Sequence, residues 1–289
     1  MPSAVAPHAP HVIDVTAAVI LQSDGRFLLA RRPAGCEYAG YWEFPGGKVE
    51  SGEDARGARA RVFHEQHRNQ VDEADTWLTP QYDYPEKTVR QHFLRLRRWH
   101  GTPRAREGQE LAWQTADAPT VAPLLPANGP ILQALTLPAI YAITNANRFG
   151  VEFLNRVQGA LDGGVRLIQV REPGLSPGKL EKFARRVIKL AHLSGARVVI
   201  NSDAALAALL GADGAHLQAR QLQQLDTRPD LPLCGASCHT RAELERAAEL
   251  GCDFAVLSPV LTTPSHPGEP GLGWETFADA VIKAVNAKT

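Results

Sequence analysis

The sequence predicts an α/β protein with two domains, and three observations support this fold class. The chain has 289 residues, about twice the length of a common domain. Its first half contains mostly β-rich runs, whereas its second half alternates strands with helices, as in a parallel sheet. The change of pattern falls near Thr136-Leu137-Pro138, so we expect domains over residues 12–136 and 137–289.

The first domain is predicted to begin with a β-hairpin. Apolar runs at 15–21 and 27–30 flank the turn sequence Ser23-Asp24-Gly25, a pattern typical of two antiparallel strands. Further strands are predicted at 41–44, 77–84 and 89–99, and helices at 53–67 and in the last part of 121–135.

The second domain has the more regular pattern. Its strands are predicted at 139–143, 165–170, 197–200, 214–217, 233–236 and 254–257. Its helices are predicted at 151–161, 179–193, 204–210, 241–250 and 275–286. Strands that alternate with helices indicate βα units and a parallel sheet.

The composition argues against several classes of protein. The 31 basic and 31 acidic residues cancel, which gives no reason to expect binding to nucleic acid or to an anionic membrane. No apolar stretch approaches the roughly 18 residues that a membrane span needs, and no secretory signal is recognisable. The four cysteines are interpreted as free thiols of a reducing compartment. We therefore expect a cytoplasmic protein.

A motif for phosphate chemistry follows Gly46-Gly47. Glu53 comes six residues after Gly47, and Arg61 and Glu65 follow on the predicted helix. This segment resembles the Nudix box, G-x5-E-x7-R-E-U-x-E-E-x-G-U with U apolar, and its flanks at 16–20, 27–32, 41–45, 99–101 and 126–128 resemble the MutT branch. The resemblance implies an α/β/α sandwich with a mixed sheet. It also implies cleavage of oxidised purine nucleoside triphosphates, such as 8-oxo-dGTP, in nucleotide-pool sanitation and DNA repair.

The same resemblance implies a metal site on the helix. Positions 62, 65 and 66 project to one spot, where family members hold Mg²⁺ with carboxylates against the diphosphate of the nucleotide. Here Val62 and Gln66 stand in two of the three acidic positions. The resemblance implies catalytic roles for Glu65, Arg61 and Glu53, and metal ligation by Gly46, Glu65 and Gln66, with Mg²⁺ or Mn²⁺ as the cofactor.

Lost carboxylates weaken the binding of a metal and slow the reaction that the metal assists. Arg97 stands at a further position that is acidic in MutT relatives. Two interpretations therefore stay open for the first domain: a weakened pyrophosphohydrolase, and a non-catalytic module that binds nucleotides or regulates.

Three residues outside the box are implied to bind the nucleotide. In the MutT branch, Phe44 would stack on the base, Asn128 would form hydrogen bonds with it, and Arg32 would contact phosphate. The alternatives are that Phe44 belongs to the core and that Asn128 caps the helix that begins near Pro130.

Polar residues follow the predicted strands of the second domain, at the end where α/β barrels build their sites. In order, these segments resemble thiamine phosphate synthase and its relative TenI, which implies a site for a phosphate-bearing ligand. The matching residues are Gln169, Arg171, Asn201, Asp213 as a Mg²⁺ ligand, Ser237, Thr263 and Gly273.

This second domain departs from its family in both residues and length. Pro173 and His266 replace lysines, and Ser202 replaces an acidic metal ligand. Six strands are two short of a closed eight-stranded barrel, so we expect an incomplete TIM-type (β/α) barrel that lacks the last two βα units. Three alternatives stay open for the strand edges that an unclosed barrel exposes. A partner covers them, the domain is unstable, or the chain is a truncated form of a longer one. Thiamine phosphate synthesis is accordingly the third and least favoured function.

Overall fold

The computed structural model describes residues 12–49, 70–105, 109–146, 150–263 and 270–286. The chain forms two compact units that divide between Thr136 and Leu137. Within the described ranges, no helix combines the length and apolar character that crossing a bilayer requires.

The N-terminal unit contains two β-sheets. Its strands are β1 (Val12–Ile20), β2 (Phe27–Arg31), β3 (Trp42–Glu43), β4 (Gly46–Lys48), β5 (Gln70–Thr76), β6 (Gln81–Tyr84), β7 (Lys87–His100) and β8 (Leu111–Gln114). One sheet has the order β4-β1-β7-β5, with β6 also paired to β7, and the other has the order β3-β2-β8. Strands β1 and β7 run parallel, which makes the larger sheet mixed. A 3₁₀ turn (Pro126–Asn128) leads into helix α1 (Gly129–Leu135).

The predicted β-hairpin at the start of this unit is wrong. The turn exists, because the Gly25 amide donates to the Gln22 carbonyl at 3.0 Å, but β1 and β2 belong to different sheets. A single bridge between Leu21 and Phe27 joins them. Residues 16–20 of β1 are buried at every consecutive position, so neither face of this strand is left to water. A strand of that kind belongs inside a layered structure, where β1 pairs with the distant β7.

Aromatic residues fill the core between the two sheets of the N-terminal unit. The ring centroids of Phe27 and Phe44 are 5.5 Å apart, and those of Phe44 and Phe93 are 5.3 Å apart. Ala17, Val19 and Ile131 are buried in the same cluster. Strands β1 and β7 thus form one wall of this core. Other residues of the same two strands form the floor of a cavity.

The C-terminal unit is a parallel sheet of six strands in chain order, which confirms the predicted α/β class with an incomplete TIM-type barrel. The strands are β9 (Ala142–Ile143), β10 (Leu167–Val170), β11 (Arg197–Asn201), β12 (Gly214–Leu217), β13 (Leu233–Cys238) and β14 (Phe254–Leu257). The helices are α2 (Phe153–Asp162), α3 (Pro177–Leu193), α4 (Ala204–Leu210), α5 (Ala219–Leu222), α6 (Arg241–Glu249) and α7 (Trp274–Asn286), and a 3₁₀ turn (Gly150–Glu152) precedes α2. The sequence did not predict α5.

Side chains alternate between the two faces of this sheet. Ile168, Val170, Val198 and Ile200 pack in one cluster with the buried residues of the helices. The residues between them point to the opposite, inner face, where Leu167, Val199 and Leu233 form a separate small cluster. Polar residues continue this inner face toward the C-terminal ends of the strands, so the sheet itself places them together.

Candidate functional sites

A cavity of about 490 Å³ opens in the N-terminal unit, on one face of its mixed sheet. Its floor is made by alternate residues of two neighbouring strands, namely Ile13, Val15 and Ala17 of β1 and Val89 and Gln91 of β7. The alternation follows from the pleat of a strand, which sends every second side chain to the same side. Four of these five floor residues are apolar, which suits the flat surface of an aromatic ligand.

Phe44 lines this cavity, and it is also part of the core. Only 3% of its surface is exposed, because the rings of Phe27 and Phe93 pack against it. The predicted core position is therefore confirmed, while stacking on a base stays a prediction.

Asn128 lines the same cavity and is 1% exposed. Its Nδ2 donates to the Trp42 carbonyl at 3.4 Å, a long bond. Its side chain makes no capping bond to the helix that follows. Asn128 thus occupies the N-cap position, as the alternative expects, but its side chain does not cap the helix and lines the cavity.

Arg32 is held by a neighbouring carboxylate. Its Nη1 donates to both Glu43 oxygens at 2.6 and 2.8 Å, and its Nε donates to the Glu37 carbonyl at 2.8 Å. Burial raises the pKa of the Glu43 carboxyl, against the opposing effect of Arg32. Arg32 lines the cavity. Its predicted contact with phosphate stays a prediction, and a phosphate there would have to share the guanidinium group with Glu43.

Basic side chains outnumber acidic ones around the cavity. Lys48 and Lys87 join Arg32 in its lining, against Glu37 and Glu43, and Lys87 forms an ion pair with Glu37. This balance favours an anionic group beside the apolar floor. The lining thus combines an apolar floor with a small excess of basic side chains.

The predicted metal site lies largely outside the described residues. Gly46 is described and lines the cavity, but Glu53, Arg61, Val62, Glu65 and Gln66 fall within 50–69. For Arg97, only the backbone in β7 is described. Within the described ranges, no three His, Cys, Asp or Glu side chains are grouped to hold a metal ion.

The chemistry of the proposed donors decides how well they suit Mg²⁺. The set of Gly46, Glu65 and Gln66 offers oxygen atoms only, which Mg²⁺ accepts, but it carries a single negative charge. These residues thus supply the type of donor atom that Mg²⁺ prefers, but they supply little negative charge to bind it. Position 62, where a valine stands, contributes no donor.

A second cavity, of about 420 Å³, lies on the inner face of the C-terminal sheet, at the C-terminal ends of its strands. It brings together four residues that the sequence predicted, namely Gln169, Arg171, Asn201 and Ser237. Six further polar residues that the sequence did not single out also line it, namely Tyr141, His216, Gln218, Arg220, His239 and Ser258.

A chain of hydrogen bonds crosses this cavity. Gln169 Nε2 donates to the Tyr141 hydroxyl at 2.9 Å. That hydroxyl lies 2.9 Å from His216 Nδ1, and His216 Nε2 lies 2.9 Å from Ser237 Oγ. Burial, with a smaller effect of Arg171, lowers the pKa of His216 to about 4. The imidazole is therefore neutral at pH 7 and carries one proton.

The direction of this chain follows from its donors. Burial raises the pKa of the Tyr141 hydroxyl, which keeps its proton. Because that hydroxyl already accepts from Gln169, it donates to His216 Nδ1, and His216 Nε2 then donates to Ser237. The oxygen of Ser237 is an acceptor in this arrangement, so its own proton can be donated to a ligand beside Arg171.

Asp213 does not lie with these residues, which corrects the prediction that it is a Mg²⁺ ligand. It precedes β12, and its Oδ2 accepts from the Val198 amide at 2.7 Å and lies 2.9 Å from His192 Nε2. Val198 is near the beginning of β11, so this carboxylate is at the N-terminal end of the sheet. Asp253, which precedes β14, repeats the arrangement two strands later, where its Oδ2 accepts from the Cys234 amide at 2.7 Å.

Two other predicted residues lie apart from the lining of this cavity. Thr263 is exposed in the segment after β14. Gly273 has a φ of +75° at the start of α7, and its amide donates to the Val260 carbonyl at 2.9 Å. Of the departures from the family, Ser202 adopts a φ of +60° beside Asn201, and His266 lies outside the described residues.

Comparison with known proteins gives each unit a separate match. Residues 140–287 match the family model described as thiamine monophosphate synthase, and residues 16–134 match the NUDIX domain model. Thiamine-phosphate synthase from Thioalkalivibrio sulfidiphilus is 32% identical over 149 residues, which cover 50% of this chain and 71% of that protein. CTP pyrophosphohydrolase from Escherichia coli is 37% identical over 123 residues, which cover 43% of this chain and 90% of that protein.

A solved structure of MutT, from a study of the Aliivibrio salmonicida and Vibrio cholerae proteins, is 28% identical to the chain. The match covers 43% of this chain and 96% of the MutT chain, with a TM-score of 0.36. The match covers 81% of the length of a putative thiamine-phosphate synthase from Aquifex aeolicus and 59% of the length of a thiamine-phosphate synthase from Thermus thermophilus.

Proposed function

Because this chain belongs to the Nudix and thiamine monophosphate synthase families, we propose that its N-terminal unit hydrolyses nucleoside triphosphates to the monophosphate and pyrophosphate. The observation that carries the proposal is the cavity whose lining combines an apolar floor with a small excess of basic side chains. Oxidised purine nucleotides such as 8-oxo-dGTP are the proposed substrates, with a role in nucleotide-pool sanitation and DNA repair. CTP is the second candidate, because a relative is named a CTP pyrophosphohydrolase.

The described residues suggest how a nucleotide would be bound. The base would lie on the floor of β1 and β7, with Phe44 at its side and the buried amide of Asn128 at its edge. The phosphates would extend toward Arg32, Lys48 and Lys87. This placement matches the apolar part of the ligand with the apolar part of the cavity.

Glu65, Gln66 and Gly46 are the proposed ligands of Mg²⁺ or Mn²⁺, which would neutralise phosphate charge and activate water. Arg61 and Glu53 are proposed to act with Glu65. Because one carboxylate stands where the family has three, the reaction is proposed to be slow. A non-catalytic nucleotide-binding or regulatory module is the alternative, and the side chains at positions 62 and 66 favour it.

The experiment measures pyrophosphate release from 8-oxo-dGTP, dGTP and CTP, together with equilibrium binding of the same nucleotides. Asn128→Ala is expected to weaken binding about tenfold, the scale of one or two lost hydrogen bonds. Gln133→Ala, at an exposed position of α1, is the matched control and is expected to bind normally. Binding without release would favour the non-catalytic module, and no binding of any nucleotide would overturn the proposal.

The C-terminal unit is proposed to bind a phosphate-bearing ligand in its own cavity. Arg171 supplies positive charge there, and the hydrogen-bond chain through His216 leaves the Ser237 proton available. Thiamine phosphate synthesis is not favoured, because Pro173 and Ser202 stand where the family has a lysine and an aspartate.

Calorimetric titration with inorganic pyrophosphate and with a thiazole phosphate tests this second site. Arg171→Ala and Ser237→Ala are each expected to weaken binding about tenfold or more, since both remove a donor to an anion. Arg185→Ala is the control, because Arg185 pairs with Glu181 on helix α3. Equal affinities in all three variants would show that the ligand binds elsewhere.

A further inference from the structure

Gln91 places a hydrogen-bond acceptor without a partner in the floor of the N-terminal cavity. The residue lies on β7, opposite Val15 of β1, and is 6% exposed. Its Oε1 is buried and accepts no hydrogen bond from the described residues. A buried acceptor that has lost its water and gained no partner is costly, so this oxygen requires an explanation.

The side chains that share the floor with Gln91 cannot form hydrogen bonds. The other four floor residues are Ile13, Val15, Ala17 and Val89, whose side chains are hydrocarbon. A buried glutamine elsewhere in the same unit is satisfied: Gln114 Oε1 accepts from the Thr120 amide at 2.6 Å and from the Thr120 hydroxyl at 3.1 Å. Among the described residues, the side-chain oxygens of Gln22 and Gln91 are buried without such a partner, and of these two residues Gln91 lines the cavity.

The place of Gln91 within the cavity indicates which part of a ligand would meet it. The basic side chains of the lining suit phosphate and are exposed or half-buried, whereas Gln91 is buried within the apolar floor that suits a base. A group that satisfies Oε1 must donate a hydrogen bond from the edge of the base. A ring N–H and an exocyclic amino group are both donors of this kind, and the amino group extends farther from the ring.

We propose that Gln91 Oε1 accepts a hydrogen bond from an exocyclic amino group of the nucleobase and thereby selects amino-bearing bases. Cytosine and guanine carry such a group, whereas uracil and hypoxanthine carry none. The inference rests on the proposed function, because it assigns the base specificity of the same cavity. Gln91 is a specificity determinant in this account and takes no part in the chemistry.

The experiment uses nucleoside monophosphates, so that binding is measured apart from hydrolysis. Dissociation constants are measured calorimetrically on the full chain for two matched pairs, dGMP with dIMP and CMP with UMP. In each pair that binds, the amino-bearing member is expected to bind about tenfold more tightly, since an acceptor would otherwise stay unpaired. Gln91→Met keeps the size of the side chain, removes the acceptor, and is expected to reduce this ratio to about one.

Gln133→Met on α1 is the matched control and is expected to keep the ratio of the parent chain. Equal affinities within both pairs in the parent chain would overturn the inference, and this result does not depend on whether Gln91→Met folds. A uniform loss for all four nucleotides in Gln91→Met would overturn it as well, because it would indicate a ribose contact or a damaged cavity. If no nucleotide binds to the parent chain, both the inference and the proposed nucleotide site fail. Equal binding within pairs overturns the inference alone.

Discussion

The neutral state of His216 makes the stability of the C-terminal unit dependent on pH. In the folded chain, burial lowers the pKa of His216 to about 4 from an ordinary value of 6.5. Between these two pH values, His216 binds a proton in the unfolded chain but stays neutral in the folded chain. Stability is therefore fully present above about pH 6.5 and is lost as the pH falls toward 4.

The size of this effect follows from the two pKa values. A gap of about 2.5 pH units corresponds to about 3 kcal/mol in full. About 2 kcal/mol of that amount is lost between pH 7 and pH 5. Other groups also titrate in this range, so a comparison of two variants is needed to isolate the histidine.

The measurement is urea unfolding of the parent chain and of His216→Gln at pH 7 and pH 5. The parent is expected to lose about 2 kcal/mol more than the variant over this interval. Tyr141→Phe removes two hydrogen bonds, one with His216 and one with Gln169, but keeps the histidine. It therefore controls for loss of stability alone and is expected to keep the extra pH dependence. Equal losses in the parent and His216→Gln would refute the neutral imidazole, and with it the direction of the hydrogen-bond chain to Ser237.

Two further predictions concern single positions. Gly46→Ala is expected to destabilise the N-terminal unit by about 1–3 kcal/mol, because a Cβ there would collide with the Thr16 carbonyl oxygen. Urea unfolding beside Gly129→Ala, whose Cβ would have nothing within 4 Å, checks this, and equal costs would contradict it. Asp213→Asn is expected to cost about 1–2 kcal/mol and to leave pyrophosphate affinity unchanged, because its carboxylate accepts from Val198 at the far end of the sheet. A loss of affinity measured by calorimetry would show that Asp213 serves the ligand after all.

The C-terminal unit was largely predictable because its pattern is local and repeated. Strands 214–217 and 254–257 and helix 204–210 have the predicted bounds. Residues that start and end a helix explain this accuracy. Asp203 caps the start of α4 by accepting a hydrogen bond from the Leu206 amide, and Gly211 ends the helix in the left-handed conformation. The four residues of α5 are too few to give a helical period, so they were missed.

The sheets of the N-terminal unit were less predictable, because strand pairing there joins distant parts of the chain. Ala17 is opposite Phe93 in a parallel pair, and nothing near β1 in sequence specifies that partner. The turn at Gly25 was visible, but a turn does not determine which sheet the next strand joins. The hairpin therefore failed although its local signals were correct.

Sequence reasoning found Gln169, Asn201 and Ser237 near the C-terminal ends of their strands, but it missed Gln91 and His216. Gln91 stands between Arg90 and His92, and His216 stands between Ala215 and Leu217. Neither context reveals which face of the strand lines a cavity. The feature that could have identified both residues is a polar side chain within a predicted strand. Asp213 was placed at the wrong end because it precedes its strand, whereas Arg171 follows its own.

The account is tested most directly by pyrophosphate release from dGTP and 8-oxo-dGTP with Mg²⁺. The parent chain is compared with the double variant Val62→Glu, Gln66→Glu, which restores the acidic residues of the box. The account predicts release that is faster in the double variant by about a hundredfold or more, because the metal regains its carboxylates. A parent chain that already turns over at an ordinary enzymatic rate, with no gain in the double variant, would contradict it.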